Sequence, residues 1–103
     1  MATKRKPDQN ALIGFIIAEP IRGALAEVFL DAPSPPTERA LVQAASTILK
    51  QANWKAAKAE IRHQLARLHV AGLAEPVVVD GKLGYRLTDT GRSVVAKTLG
   101  SSC

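Results

Sequence analysis

The fold is decided by residues 53–92, which read NWKAAKAEIRHQLARLHVAGL (53–73), AEPVVVDGKLGYRL (74–87) and TDTGR (88–92). In the first part, apolar residues recur at three- and four-residue steps: Trp54, Ala57, Ile61, Leu65 and Leu68. Because a helix turns by about 100° per residue, this spacing predicts one helix over about residues 54–71 with a single buried stripe. Asn53 suits the N-cap, and Gly72 suits the left-handed position that ends a helix.

The second part predicts a β-hairpin over about residues 77–87. The β-branched run 77–79 stops at Asp80-Gly81, and residues 82–87 form a second strand-like run. Asp-Gly favours a two-residue turn, since both central positions need positive φ. Thr88 or Asp89 then caps a final helix through Val94, Val95 and Leu99.

These residues carry a resemblance. The run IRHQLARLHVAGL, followed at a hairpin's distance by GYRLTDTGR, resembles the recognition helix and wing of winged helix-turn-helix regulators of the MarR and PadR kind. The matching residues are Leu65, Leu68, Gly72, Leu73, Tyr85, Leu87, Thr88, Gly91 and Arg92. The resemblance implies an α+β winged helix-turn-helix fold, mostly helical with a two-stranded hairpin wing. It also implies DNA binding, with the helix in the major groove and the wing along the backbone or the minor groove.

The candidate DNA contacts are basic residues on the helix and the hairpin. On or near the helix side opposite the stripe lie Lys55, Arg62, His63 and Arg67. Lys58 of the same helix is also a candidate contact, and the hairpin adds Lys82 and Arg86. Arg62 and Arg67 are suited to bidentate guanine recognition or to phosphate anchoring. The alternative reading of all seven is a solvated basic face with ordinary turn charges, which is a common surface feature.

Upstream, the chain reads as three further helices. A short one carries Leu12 to Ile17 and is apolar on more than one side, which predicts a homodimer through residues 11–30 and 89–99. Pro20 suits the first turn of a second helix, reaching about Leu30. The proline-rich linker DAPSPPT (31–37) precedes a third helix, on which the predicted buried residues are Leu41, Ala45, Ile48 and Ala52.

Charge is unevenly distributed along the 103 residues, whose net charge is +5 with a pI near 9.8. Residues 1–7 carry three positive charges, residues 8–49 carry two positive and five negative, and residues 50–103 carry nine positive and four negative. The excess on the helix-hairpin half favours a polyanionic partner. We expect a basic flexible tail at 1–10, a winged helix domain at 11–99 and a short tail at 100–103.

Other classes of protein find little support in the sequence. His63 and His69 with one remote cysteine, Cys103, do not make a metal set, and no phosphate cradle, nucleophile elbow or paired carboxylates occur, so we expect no enzyme, metal or cofactor. The lone cysteine predicts a reducing cytoplasm. The apolar run 11–18 is far short of the roughly 20 residues that span a membrane.

The sequence therefore predicts a small transcriptional regulator that binds specific double-stranded DNA as a homodimer. Two alternatives stay open. A winged helix can act as a protein–protein adaptor. It can also be an architectural DNA-binding protein in replication, packaging or segregation.

Overall fold

Within the part of the chain that the structure describes, five helices surround one core, and a two-stranded hairpin lies between the last two of them. The computed structural model describes residues 9–100, with the side chains of residues 10–99. The elements are α1 (Gln9–Ile17), α2 (Pro20–Asp31), α3 (Glu38–Gln51), α4 (Lys58–Val70), β1 (Ala74–Val79), β2 (Lys82–Leu87) and α5 (Asp89–Gly100). The order of elements confirms the predicted fold class. The two predicted tails, with Cys103, fall mostly or wholly outside the described residues.

The second helix is the centre of the core. α2 packs against α1, α3, α4 and α5. Pro20 occupies its first turn, as predicted, because the missing N–H of proline has no helical partner there in any case. Ile21, Leu25 and Phe29 are buried on it at spacings of four. The core is therefore a helical bundle with α2 at the middle, onto which the hairpin is attached.

The proline-rich linker has a second role that its composition did not predict. Thr37 caps α3, its hydroxyl accepting from the Ala40 N–H at 3.1 Å. It also forms a β-bridge with Gly84, and the Tyr85 N–H donates to the Pro36 carbonyl at 3.1 Å. Residues 36–37 thus form an isolated β-bridge to β2, which holds the hairpin against the start of α3.

The buried stripe of α3 differs in part from the predicted one. Leu41 and Ala45 are buried as predicted, Ile48 is half-buried, and Ala52 is exposed beyond the end of the helix. The core side also carries Val42, Ser46 and Leu49. The prediction was wrong at Ala52 because the helix stops one residue earlier.

The start of the recognition helix was also predicted wrongly. α4 begins at Lys58, not near residue 54, and Asn53 closes α3 instead of capping α4. Asn53 has φ 57°, its N–H donates to the Lys50 carbonyl at 3.0 Å, and the Trp54 N–H donates to the Leu49 carbonyl at 2.8 Å. This is the Schellman arrangement, which asparagine enters more readily than most residues. Trp54 is 45% exposed and lies on no buried stripe.

The end of α4 and the hairpin follow the prediction closely. Gly72 has φ 82°, and the Leu73 N–H donates to the Leu68 carbonyl at 3.0 Å. Asp80 and Gly81 have φ 50° and 76°, as a type I′ turn requires. The strands are antiparallel with Val79 opposite Lys82, and β1 begins three residues earlier than predicted.

Of the two predicted caps of the last helix, Thr88 and Asp89, the structure has Thr88. Its hydroxyl accepts from the Gly91 N–H at 2.9 Å and donates to the Gly72 carbonyl at 2.6 Å. Gly91 itself is packed so closely on Leu73 that an added Cβ would overlap the Leu73 carbonyl oxygen. The end of α4, the base of the hairpin and the start of α5 therefore form one tightly bonded junction.

Candidate nucleic-acid interface

The outer surface of α4 is the candidate site, because it is the side that the core leaves open. Ile61, Gln64, Leu65 and Leu68 are buried. The opposite line of the helix, which we call the outer line, consists of Ala59, His63, Ala66 and Val70, all exposed. Its side chains are small except for His63 and Val70, and Val70 is 86% exposed. A helix with so low an outer line can approach another surface closely.

One flank of α4 faces the start of α3 and is basic. Lys58 and Arg62 line an open cavity of about 400 Å³ together with Arg39 of α3. Glu38 also lies there, and its carboxylate oxygen is 3.9 Å from the Arg62 Nε. That distance is long and both groups are solvated, so the pair contributes little and leaves Arg62 available for another partner.

The opposite flank faces α1 and α2. Arg67 is exposed and lines a cavity of about 290 Å³ with Phe15, Val70 and Ala71. Arg62 and Arg67 are five residues apart, which separates them by about 140° around the helix. They therefore lie on different flanks, and the single basic side expected from the sequence is in fact two basic edges with the outer line between them.

Among the residues that the structure describes, the hairpin presents one cation without a salt-bridge partner and one paired cation. Lys82 is exposed beside the turn. Arg86 lies on the strand face away from Tyr85, as predicted, but its Nε donates to Glu75 Oε2 at 2.6 Å across the two strands. The charge of Arg86 is thus largely balanced within the wing.

Tyr85 joins the hairpin to α4. Its ring meets the His69 ring edge-on, with 6.3 Å between centroids and 61° between planes. Burial raises the pKa of the Tyr85 phenol, and the nearby Glu38 carboxylate raises it further, so the phenol stays neutral at physiological pH. Tyr85 is therefore a packing residue that sets the angle between wing and helix.

The structure brings together part of the predicted set. Lys58 and Arg62 share one cavity, His63 occupies the outer line, and Arg67 forms the other edge. Lys55 lies in the exposed connection before α4, so the prediction that it belongs to the helix was wrong. Which of the seven contact DNA remains a prediction.

Sequence reasoning missed Arg39. It follows the Thr37 cap by two residues, in the first turn of α3, and it faces the same cavity as Lys58 and Arg62. A basic residue just after a predicted cap was the available signal, since the first turn of the positioning helix stands close to the recognition helix in helix-turn-helix proteins.

Two absences hold for residues 9–100. None of the helices there is both long and apolar enough to cross a membrane. Within the same range, no three or more His, Cys, Asp or Glu side chains are grouped so as to hold a metal ion.

The helices, the wing and the open face of α4 define a winged helix protein. A solved structure described as "Protein structure of Type III plasmid segregation TubR" is similar, with a TM-score of 0.71 over 99% of this chain and 94% of that chain. The two sequences are 11% identical, so the likeness is one of fold. No protein-family model matches the sequence, and no curated protein matches it either, so the resemblance to MarR and PadR regulators stays a prediction.

Proposed function

We propose that the protein binds double-stranded DNA by placing α4 in the major groove. The supporting observation is the arrangement of α4, with an exposed outer line of small side chains between two basic edges. The major groove is about 12 Å wide and admits one helix, so the outer line faces base edges and the two edges face the two phosphate backbones. Lys58, Arg62 and Arg39 then serve one strand, and Arg67 serves the other.

This geometry favours phosphate contact over base reading. Direct readout depends on side chains such as Arg, Lys, Asn and Gln facing the base edges. The outer line offers only His63 as a hydrogen-bonding side chain, beside Ala59, Ala66 and Val70. Arg62 and Arg67 stand about 70° to either side of it, which suits them to phosphates. We therefore infer that discrimination between DNA sequences is modest.

Modest discrimination favours an architectural role, in packaging or segregation of DNA, over a transcriptional regulator. The likeness of fold to TubR, which is described as a plasmid segregation protein, supports the same choice. The regulator is the second candidate. It is favoured by the sequence from Tyr85 to Arg92, at the end of the hairpin and the start of α5, which resembles that of MarR and PadR proteins.

The test is a titration of a random-sequence duplex at several salt concentrations. We expect the logarithm of the binding constant to fall steeply with the logarithm of salt, and the slope to flatten by about one for each of Lys58→Gln and Arg62→Gln. Arg92→Gln is the matched control, because Arg92 is exposed, is paired with Asp89 at 2.6 Å, and lines two cavities that contain no α4 residue. Absence of duplex binding at low salt would favour the protein–protein adaptor instead.

Selection of bound sequences from a random pool separates the two DNA-binding candidates. An architectural protein should enrich little beyond a weak composition bias. A palindromic motif would instead support the regulator, with half-sites about one helical turn apart.

We also propose that the protein is a homodimer through residues 11–30 and 89–99, which belong to α1, α2 and α5. The apolar residues of α1 lie all round the helix, and Ile17 is 67% exposed although it belongs to a helix that packs on the core. A second copy covering this surface would bury it. Sedimentation at tens of micromolar should give a dimer, and a monomer there would contradict the proposal.

A further inference from the structure

Arg22 is held more firmly than a surface arginine. It lies in the first turns of α2 and is half-buried. Its Nε donates to Gln64 Oε1 at 2.9 Å and its Nη1 donates to the Phe15 carbonyl at 2.8 Å. Its Cζ lies 3.8 Å from the centroid of the Phe15 ring, which is cation–π distance. The guanidinium is thus fixed at the point where α1, α2 and α4 meet.

Arg67 stands next to this fixed group. It follows Gln64 by three residues on α4, so the two side chains are neighbours on one flank. It also lines the same small cavity as Phe15, the residue on which Arg22 stacks. Arg22 and Arg67 therefore both lie beside Phe15: Arg22 is held by hydrogen bonds, and Arg67 is exposed.

The charges of this pair are not balanced within the described part of the chain. Burial lowers the pKa of Arg22, Arg67 lowers it further, and the smaller opposing effect comes from Glu19. No salt bridge joins Arg22 or Arg67 to a carboxylate among residues 10–99. Two neighbouring cations that no salt bridge within residues 10–99 neutralises repel each other, and an anion bound between them would relieve that repulsion.

We propose that Arg22 and Arg67 form a clamp for one phosphodiester group of the DNA backbone. The clamp rests on the proposed function and adds to it a contact on the strand opposite Lys58 and Arg62. The Nε and Nη1 of Arg22 already donate to Gln64 and Phe15, so the end of its planar fork at Nη2 is what meets the phosphate. Because those two bonds set its orientation before binding, little conformational entropy is lost. Arg67, which is exposed, closes on the same group from the other side.

The wild-type protein can test the clamp without any risk to folding. The Nε–Hε signals of Arg22 and Arg67 are followed by NMR while a random-sequence duplex or inorganic phosphate is added in separate titrations. We expect both signals to shift with the duplex, while the Arg92 signal stays in place. Shifts with inorganic phosphate but not with the duplex would overturn the clamp as a DNA contact.

Substitutions then measure its contribution. We expect Arg67→Gln and Arg22→Gln each to reduce the slope of the logarithm of the binding constant against the logarithm of salt by up to about one. The double variant should lose less affinity than the two single losses combined, because both residues hold the same phosphate. Arg22→Lys keeps the charge but not the fork, so its affinity should fall between wild type and Arg22→Gln, and Arg92→Gln should match wild type.

The outcomes also separate the clamp from the proposed function. If a folded Arg22→Gln protein keeps the wild-type slope and affinity while Lys58→Gln still flattens the slope, the clamp is wrong and DNA binding through α4 stands. If the wild-type protein binds no duplex at low salt, both are wrong. If Arg22→Gln does not fold, the wild-type NMR titration decides.

Discussion

The two ends of α4 are built in contrasting ways. At its C-terminal end, Gly72 closes the helix, Leu73 folds back onto the core, and the Thr88 hydroxyl bonds both the Gly72 carbonyl and the Gly91 N–H. At its N-terminal end, Ala57 occupies the cap position without a side-chain hydrogen bond. The connection that leads to it, residues 54–57, is mostly exposed.

This contrast has a consequence for binding. The rigid end is the one joined to the wing, so the angle between wing and helix is fixed by the fold. The loosely held end carries Lys58 and follows Lys55, which are candidate phosphate contacts. We infer that the N-terminal turn of α4 can adjust to the DNA backbone while the C-terminal turn keeps the helix in register with the wing.

The largest effect is expected at the rigid end, from Gly91→Ala. The new Cβ would overlap the Leu73 carbonyl, and because both groups are held in packed backbone no rotamer change relieves the clash. We expect a loss of about 3 kcal/mol in the free energy of unfolding, measured by urea denaturation. Gly23→Ala is the control, since nothing lies within 4 Å of its added Cβ, and there the helix should gain about 0.5–1 kcal/mol. Equal stability of the two variants would show that the junction is not rigid.

A smaller loss is expected from Thr88→Val. This change removes the cap of α5 and leaves the Gly72 carbonyl without its hydroxyl donor. The two effects together should cost about 1.5 kcal/mol in the same assay. Thr47→Val is the matched control, because the Thr47 hydroxyl is exposed and only bonds the Gln43 carbonyl of its own helix. A cost at Thr47 as large as that at Thr88 would remove the special role of the junction.

The smallest effect, and a gain, is expected at the loose end from Ala57→Ser. The new hydroxyl can accept from the Glu60 N–H, and Glu60 stands where a capping box places its acidic residue. We expect about 0.5 kcal/mol more stability. Ala66→Ser, inside the helix, should instead cost a few tenths of a kcal/mol. If Ala57→Ser brings no gain, the first turn is already held by contacts other than a cap.

The sequence allowed much of the fold to be predicted where local chemistry is strong. Asp80-Gly81 demanded a tight turn, Thr88 suited a cap, and Pro20 suited a first turn, and the structure confirms each. The start of α4 was missed for a physical reason. Trp54 and Ala57 have the same three- and four-residue spacing as the buried residues of α4, although they precede the helix. The positive φ of Asn53 turns the chain out of α3 just before them.

The candidate site was predicted less completely than the fold. Lys58, Arg62, His63 and Arg67 could be found because their exposure follows from the helical period. The pairing of Arg86 with Glu75 could have been read only from the register of the hairpin. Arg39 and Arg22 lie on other helices, and no spacing along the chain relates them to α4.

What the sequence determined by itself is the set of turns, caps and helix ends, because those depend on the conformational preferences of single residues and their near neighbours. What only the tertiary structure decided is which charged groups meet. Arg22 reaches Gln64 across 42 residues of chain, and the hydrogen bond exists because the packing of α2 on α4 brings them together. The sign and strength of the electrostatic potential at the surface around α4 therefore follow from how the helices pack.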